Sequence, residues 1–244
     1  MAKKKKIRKD RIVIAAIALF VVVLGIYKGC SFLFGKALAF FSQSEEEHVY
    51  AATVVLDPGH GGNDVGAMNG QLYEKDITLK VAKAIGSQLE SQNVKVVYTR
   101  TTDTALDSDK QTDLRMRAQT STKNNADYFV SLHVNDYEDK NATVTGFEIY
   151  AKDSDGEALA NSIGACLEEL NYSKNRGIQD GSELAVIRQN TVPAVLVELG
   201  YINGLDISYL KDDDKLTMLG KTIARGIMTR INENQKTDGT GENE

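Results

Sequence analysis

The strongest constraint on this chain is an alternation. Short apolar runs, several ending in a polar residue, take turns with stretches whose apolar residues recur every three or four positions. Thr53 to Leu56, Val94 to Tyr98, Tyr128 to Val134, Gly146 to Tyr150, Leu184 to Ile187 and Ala194 to Leu199 read as strands. Ile77, Val81, Ala84, Ile85 and Leu89 repeat at helical spacing, Leu114 to about Lys123 and Ala158 to Leu170 look helical, and Leu216, Leu219, Ile223, Ile227 and Ile231 mark a final helix. Such alternation predicts an α/β fold: a single domain with a mostly parallel twisted sheet flanked by helices. The near-continuous runs YFVSL and AVLVE suit strands buried on both faces.

The first part of the chain is different in kind. Seven Lys or Arg against Asp10 give Met1 to Arg11 a net charge of +6, and Ile12 to Tyr27 then carries no charge. Sixteen residues are short for a membrane span, which takes about 20, but flanking lysines can snorkel and apolar character resumes after Lys28. The expected organisation is a basic cytoplasmic segment at 1–11, a hydrophobic signal anchor at 12–41, a linker at 42–51, a folded domain at 52–232 and a flexible tail at 233–244. A cleaved signal peptide ending near Ala37-Leu38-Ala39, and a lipoprotein joined through Cys30, are the alternatives. Each of the three exports the domain, since the basic run stays on the cytoplasmic side.

Because the whole chain is at −5, everything after Arg11 is at −11. Such an acidic domain is a poor partner for nucleic acid. Its two cysteines exclude a disulfide framework: Cys30 lies in the N-terminal segment, and Cys166 shares an apolar helical face with Leu159, Ile163, Leu167 and Leu170, where it reads as a core thiol. With no Trp in the chain, any aromatic sugar platform must come from Tyr or Phe. Oligomeric state leaves no mark in the sequence.

Three chemistry-bearing residues fall at strand ends. His60 follows the first strand in DPGHGGNDVGA, His133 ends YFVSLH and Glu198 ends AVLVE. Ligands of open α/β sheets gather at the carboxyl ends of strands, so all three groups are expected on one rim. Glu74, in LYEKDITL just ahead of the first helix, can reach the same rim through a return loop.

The segments VVLDPGHGGNDVGA, LYEKDITLKVA, DYFVSLHVN and VPAVLVELGYIN, in this order and spacing, resemble the zinc-dependent N-acetylmuramoyl-L-alanine amidase family of the amidase-3 type, over about residues 52 to 232. The resemblance implies one Zn²⁺ per domain held by His60, Glu74 and His133, with Glu198 as the catalytic carboxylate. Arg115, Asn135 and Asn203 also look family-like and receive no chemistry. Two imidazoles and one carboxylate leave a tetrahedral zinc with an open position, the mark of a catalytic site.

The implied reaction is hydrolysis of the amide between N-acetylmuramic acid and L-alanine in peptidoglycan, which lies outside the membrane as the anchor requires. Two rivals remain: a zinc peptidase acting within the stem peptide, and an inactive wall-binding scaffold. The stretch between His133 and Glu198 is filled by predicted elements and leaves no room for a long inhibitory helix, so the site is expected to be open.

Overall fold

The structure, a computed structural model, describes residues 19–20, 23–28, 48–138 and 143–239. The chain divides into two units, Met1–Val49 and Tyr50–Glu244. In the first unit the described residues 19–20 and 23–28 are helical. Most of the expected signal anchor at 12–41, with the basic run 1–11 and Cys30, lies outside the described residues. No helix among the described residues is long and apolar enough to cross a membrane.

The second unit holds a six-stranded sheet. In chain order its strands are β1 (Thr53–Pro58), β4 (Lys95–Tyr98), β5 (Tyr128–Asn135), β6 (Phe147–Ala151), β7 (Asn175–Asp180) and β8 (Ala194–Tyr201), while β2 (Met68–Asn69) and β3 (Leu72–Tyr73) form a separate hairpin. The helices are α1 (Glu74–Glu90), α2 (Lys110–Lys123), α3 (Ser154–Leu170), α4 (Ala185–Arg188), α5 (Ile207–Leu210) and α6 (Asp213–Gly239). The sheet order is β4-β1-β5-β8-β6-β7, with β6 antiparallel to β8 and parallel pairing elsewhere. The expected mostly parallel sheet is therefore present, and the reversed pair β6-β7 forms one edge.

Alternation along the central strands separates two cores. Val54, Leu56, Val130, Leu132, Val195 and Val197 face α1, α3 and α6, whose Ile77, Val81, Ile85, Leu159, Ile163, Leu219 and Ile223 complete the larger core. Val55, Phe129, Ala194 and Leu196 point the other way, onto Val186, Ile187 and partly buried Leu114. Burying each of the larger side chains stabilises the fold by roughly 1.5–3 kcal/mol. Local signals set the helix starts. Asp109 caps α2 by accepting from Thr112 N, and Asp153 caps α3 by accepting from Gly156 N. Asn171 closes α3 in the left-handed conformation, where Asn is tolerated better than most residues.

Four expectations need correction. Leu184 to Ile187 is not a strand: Leu184 caps α4, and its carbonyl accepts from Ile187 N and Arg188 N. Apolar periodicity over so short a run does not distinguish the two states, and here the backbone is satisfied locally. Asn175 to Asp180 is a strand that the pattern did not signal, because this edge strand is polar and mostly exposed. α1 begins at Glu74 rather than after it. Finally, α6 runs to Gly239, into the stretch expected as a flexible tail, and within it Asn234 donates to the Tyr128 hydroxyl and Gln235 to Ala51 O. Cys166 is buried and free, as its helical face implies.

Candidate metal centre

His60, Glu74 and His133 reach one point from three different elements. β1 delivers the first: the chain leaves the sheet at Pro58, and two residues later His60 takes φ 62°, a left-handed conformation that costs a non-glycine residue about 1 kcal/mol or more. Glu74 is the first residue of α1 and is buried. His133 lies near the end of β5. Each offers a donor atom, and these atoms lie within 4.8 Å of one another.

Glu74 is the hub. Its Oε1 lies 3.1 Å from His60 Nε2 and 2.9 Å from His133 Nδ1, and it also accepts from Val134 N at 3.0 Å. Its Oε2 accepts from Ala67 N at 2.7 Å. The other nitrogen of His60, Nδ1, contacts Asp64 Oδ1 at 2.9 Å, and Asp64 Oδ2 in turn pairs with Lys110. The two imidazoles meet edge to face, with centroids 4.9 Å apart.

Glycine makes the convergence possible at two positions. A Cβ on Gly59 would stand 2.4 Å from the His133 ring, and one on Gly66 would stand 2.4 Å from Glu74 Oε2 and 2.7 Å from His60 Cδ2. Gly66 also needs φ 66°. These contacts give the glycines of the first motif a role beyond an ordinary turn.

The donor set fits a zinc ion. Tetrahedral zinc with ligand bonds of about 2.0–2.1 Å keeps its donors roughly 3.3 Å apart, close to the 3.1 and 2.9 Å found here. Two imidazoles and one carboxylate also match the ligand chemistry of catalytic zinc. The Glu74 carboxylate is shared between the two imidazoles. Burial opposes its charge, but hydrogen bonds and attraction from His133 and His60 hold Glu74 well below the usual carboxylate range. Burial lowers the pKa of His60, but the hydrogen bonds and charges of Glu74 and Asp64 outweigh it, so the net shift is upward. Asp64 is drawn down to about 2: burial opposes its charge, while Lys110 and His60 favour it more strongly.

Glu198 stands beside this cluster. β8 pairs with β5 so that Glu198 lies across from His133, and β6 pairs with β8 so that Glu148 lies across from Glu198. Residues paired in register leave the sheet on the same face. Glu198 as a whole is partly exposed, yet its Oε2 is sealed from solvent without a hydrogen-bond partner among the described residues. Burial, with the nearby charges of Glu74 and Glu148, pushes its pKa up to about 8. Glu148 is fully engaged: its Oε1 accepts from the Tyr201 hydroxyl and Arg176 Nε, its Oε2 from the Tyr150 hydroxyl. A cavity of 360 Å³ opens on His60 and His133, with Leu114, Leu184, Val186 and Leu196 as its apolar wall.

All four residues singled out by the sequence thus gather at one rim. Arg115, Asn135 and Asn203 behave differently. Arg115 is exposed and donates to the Thr112 hydroxyl. Asn135 sits at a register shift in the β5-β8 ladder, and Asn203 exchanges hydrogen bonds with the backbone of Tyr137. Sequence reasoning missed Asp64 and the buried ions Asp57, Arg100 and Arg117. Arg117 left one usable trace: it shares the buried face of α2 with Asp113, Ala118 and Ser121.

Known proteins resemble this chain in both sequence and fold. Residues 54–229 match the model of a family described as N-acetylmuramoyl-L-alanine amidase. A probable cell wall amidase LytH of Staphylococcus aureus is 35% identical over 187 residues, covering 75% of this chain and 60% of that protein. The chain therefore spans less than two thirds of the curated relatives it matches. Among solved structures, N-acetylmuramoyl-L-alanine amidase AmiC2 of Nostoc punctiforme is 35% identical with a TM-score of 0.67, covering 75% of this chain and 98% of that one. An N-acetylmuramoyl-L-alanine amidase from Clostridium difficile 630 is 30% identical with a TM-score of 0.68, covering 76% and 98%. With the family model spanning most of its length, this chain belongs to the N-acetylmuramoyl-L-alanine amidase family.

Proposed function

We propose that this protein hydrolyses the amide between N-acetylmuramic acid and L-alanine in peptidoglycan, using a zinc ion held by His60, Glu74 and His133 and Glu198 as general base. The observation that carries the reading is the convergence of those three donors within 4.8 Å, beside a carboxylate registered against His133. Family membership supports the amide as the bond attacked.

When bound there, zinc acts as a Lewis acid that polarises the scissile carbonyl and acidifies a water molecule. The chain's own residues do the rest. Glu198 takes a proton from the attacking water and returns it to the leaving nitrogen. Asp64 fixes the His60 ring through Nδ1, so that Nε2 faces Glu74. The apolar wall of Leu114, Leu184, Val186 and Leu196 keeps bulk water off one side of the site and offers a surface for the lactyl and alanyl methyl groups.

The N-terminal sequence supports an extracytoplasmic placement. Its basic run and apolar stretch act as a signal anchor, holding the domain near wall close to the membrane and raising effective concentration rather than intrinsic affinity.

The test is mass spectrometry of purified peptidoglycan treated with the purified full-length protein, with and without a chelator. The expected products are intact stem peptides with a free L-alanine amine, and peptide-free glycan, both lost with the chelator. Cleavage inside the stem peptide, or undiminished activity in metal-free protein, would sink the proposal.

A further inference from the structure

Two buried arginines lie beneath the metal centre without contacting its donor atoms. Arg100, just past β4, sends Nε to Pro58 O at 2.9 Å and Nη2 to Gly59 O at 2.8 Å. The same Nη2 reaches Lys75 O at 2.8 Å and the Thr78 hydroxyl at 3.2 Å, both on α1. Arg117, from α2, sends Nη1 to Pro58 O at 2.9 Å and Nη2 to His60 O at 2.8 Å. Arg117 is held in turn by Asp57 and Asp113, and Asp57 by the hydroxyls of Thr99 and Ser131. Both arginines are almost fully buried.

These bonds share a target. Three consecutive carbonyls, those of Pro58, Gly59 and His60, all accept from guanidinium groups, and they frame the left-handed turn at His60. Backbone in that region persists only where its surroundings over-determine it. Arg100 adds a second constraint, since one nitrogen joins the His60 loop to the first turn of α1, which begins with Glu74.

From this geometry we infer that Arg100 and Arg117 are positioning residues of the metal centre, setting the direction of His60 and its distance from Glu74. The inference rests on His60, Glu74 and His133 binding a metal. Lysine cannot substitute: its single ammonium keeps the charge but lacks the planar fork that reaches two or three carbonyls at once.

The test uses full-length protein in detergent micelles and reads zinc affinity by chelator competition, with the visible absorption of the Co²⁺-loaded protein as a report on ligand geometry. Folding is checked by circular dichroism. Arg100→Lys and Arg117→Lys are each expected to weaken zinc binding about 10–100-fold, the usual cost of losing outer-shell support, and to change the Co²⁺ spectrum in molecules that remain folded. A merely structural role would lower the melting temperature and leave both readouts of the folded protein at wild type.

If the lysine variants fail to fold, Thr78→Val decides, because it removes the hydroxyl that contacts Arg100 Nη2, Gly59 O and Lys75 O while leaving both guanidinium groups in place. A weakening of about threefold or more with an altered Co²⁺ spectrum supports the inference. Wild-type affinity and spectrum, in the lysine variants or in Thr78→Val where those unfold, overturn it. Failure of the underlying metal reading looks different: His133→Ala would then bind zinc as tightly as the unaltered protein, and the inference would fall with it.

Discussion

Glu198 lies directly across the β5-β8 ladder from His133, so the proposed base and a proposed metal ligand leave the sheet on one face. Their relation is set by strand register. A slip of one residue would turn one of the two to the opposite face.

Glu198→Gln should therefore separate binding from turnover. The amide keeps the shape but cannot take a proton. Zinc content should stay at wild type while release of stem peptides falls about 10²–10⁴-fold, the usual worth of a general base. Near-normal release would remove Glu198 from the reaction.

His133→Ala should act on the metal itself. Deleting one of three protein donors leaves His60 and Glu74, and zinc should bind at least about a hundredfold more weakly. Metal content after dialysis measures this, and an unchanged value would strike His133 from the ligand set.

Asp64→Ala tests support at one remove. Losing the carboxylate on His60 Nδ1 frees the ring to turn and also strands Lys110. Zinc affinity should drop about 10–100-fold with little change in thermal stability, because Asp64 is on the surface side of the site. A loss of stability with wild-type affinity would make its role purely structural.

The metal-free protein should carry a stability signature of Glu198. Its folded pKa, about 8, is raised above the ordinary carboxylate value, so the neutral form favours folding. That contribution is complete below about pH 4.5 and is lost as pH rises through 8. Removing the titration by Glu198→Gln should make the apo-protein more stable than wild type at pH 9, by about 1–3 kcal/mol, and close to wild type at pH 5. Denaturant midpoints of the two proteins at both pH values give the difference directly. A difference independent of pH would count against the burial-driven shift.

Much of this fold was legible because burial leaves a mark on composition. The central strands β1, β5 and β8 are enclosed on both faces, and their apolar runs show it. α/β topology predicted a common rim for His60, His133 and Glu198, yet only His133 is near a strand end: His60 lies two residues past β1, and β8 runs three residues beyond Glu198. What escaped was set by partners rather than periodicity. β7 is polar because its outer edge faces solvent, so nothing apolar announces it. α4 is too short for its four residues to display a helical repeat. Arg100 and Arg117 were missed for a related reason. A charged residue reads as surface until its acceptors are known, and theirs include carbonyls 25 to 59 positions away along the chain.

The three donors of the metal centre belong to a loop, a helix start and a strand end, and no two are close neighbours in sequence. An unfolded polypeptide therefore offers a cation almost nothing to chelate, and the pocket comes into being only with the tertiary structure. Any ion that the proposed site takes should therefore load only after the domain has folded. A bound ion would add a clasp between segments that Arg100 and Glu74 already tie together, so stripping it should loosen the rim of the sheet before the centre.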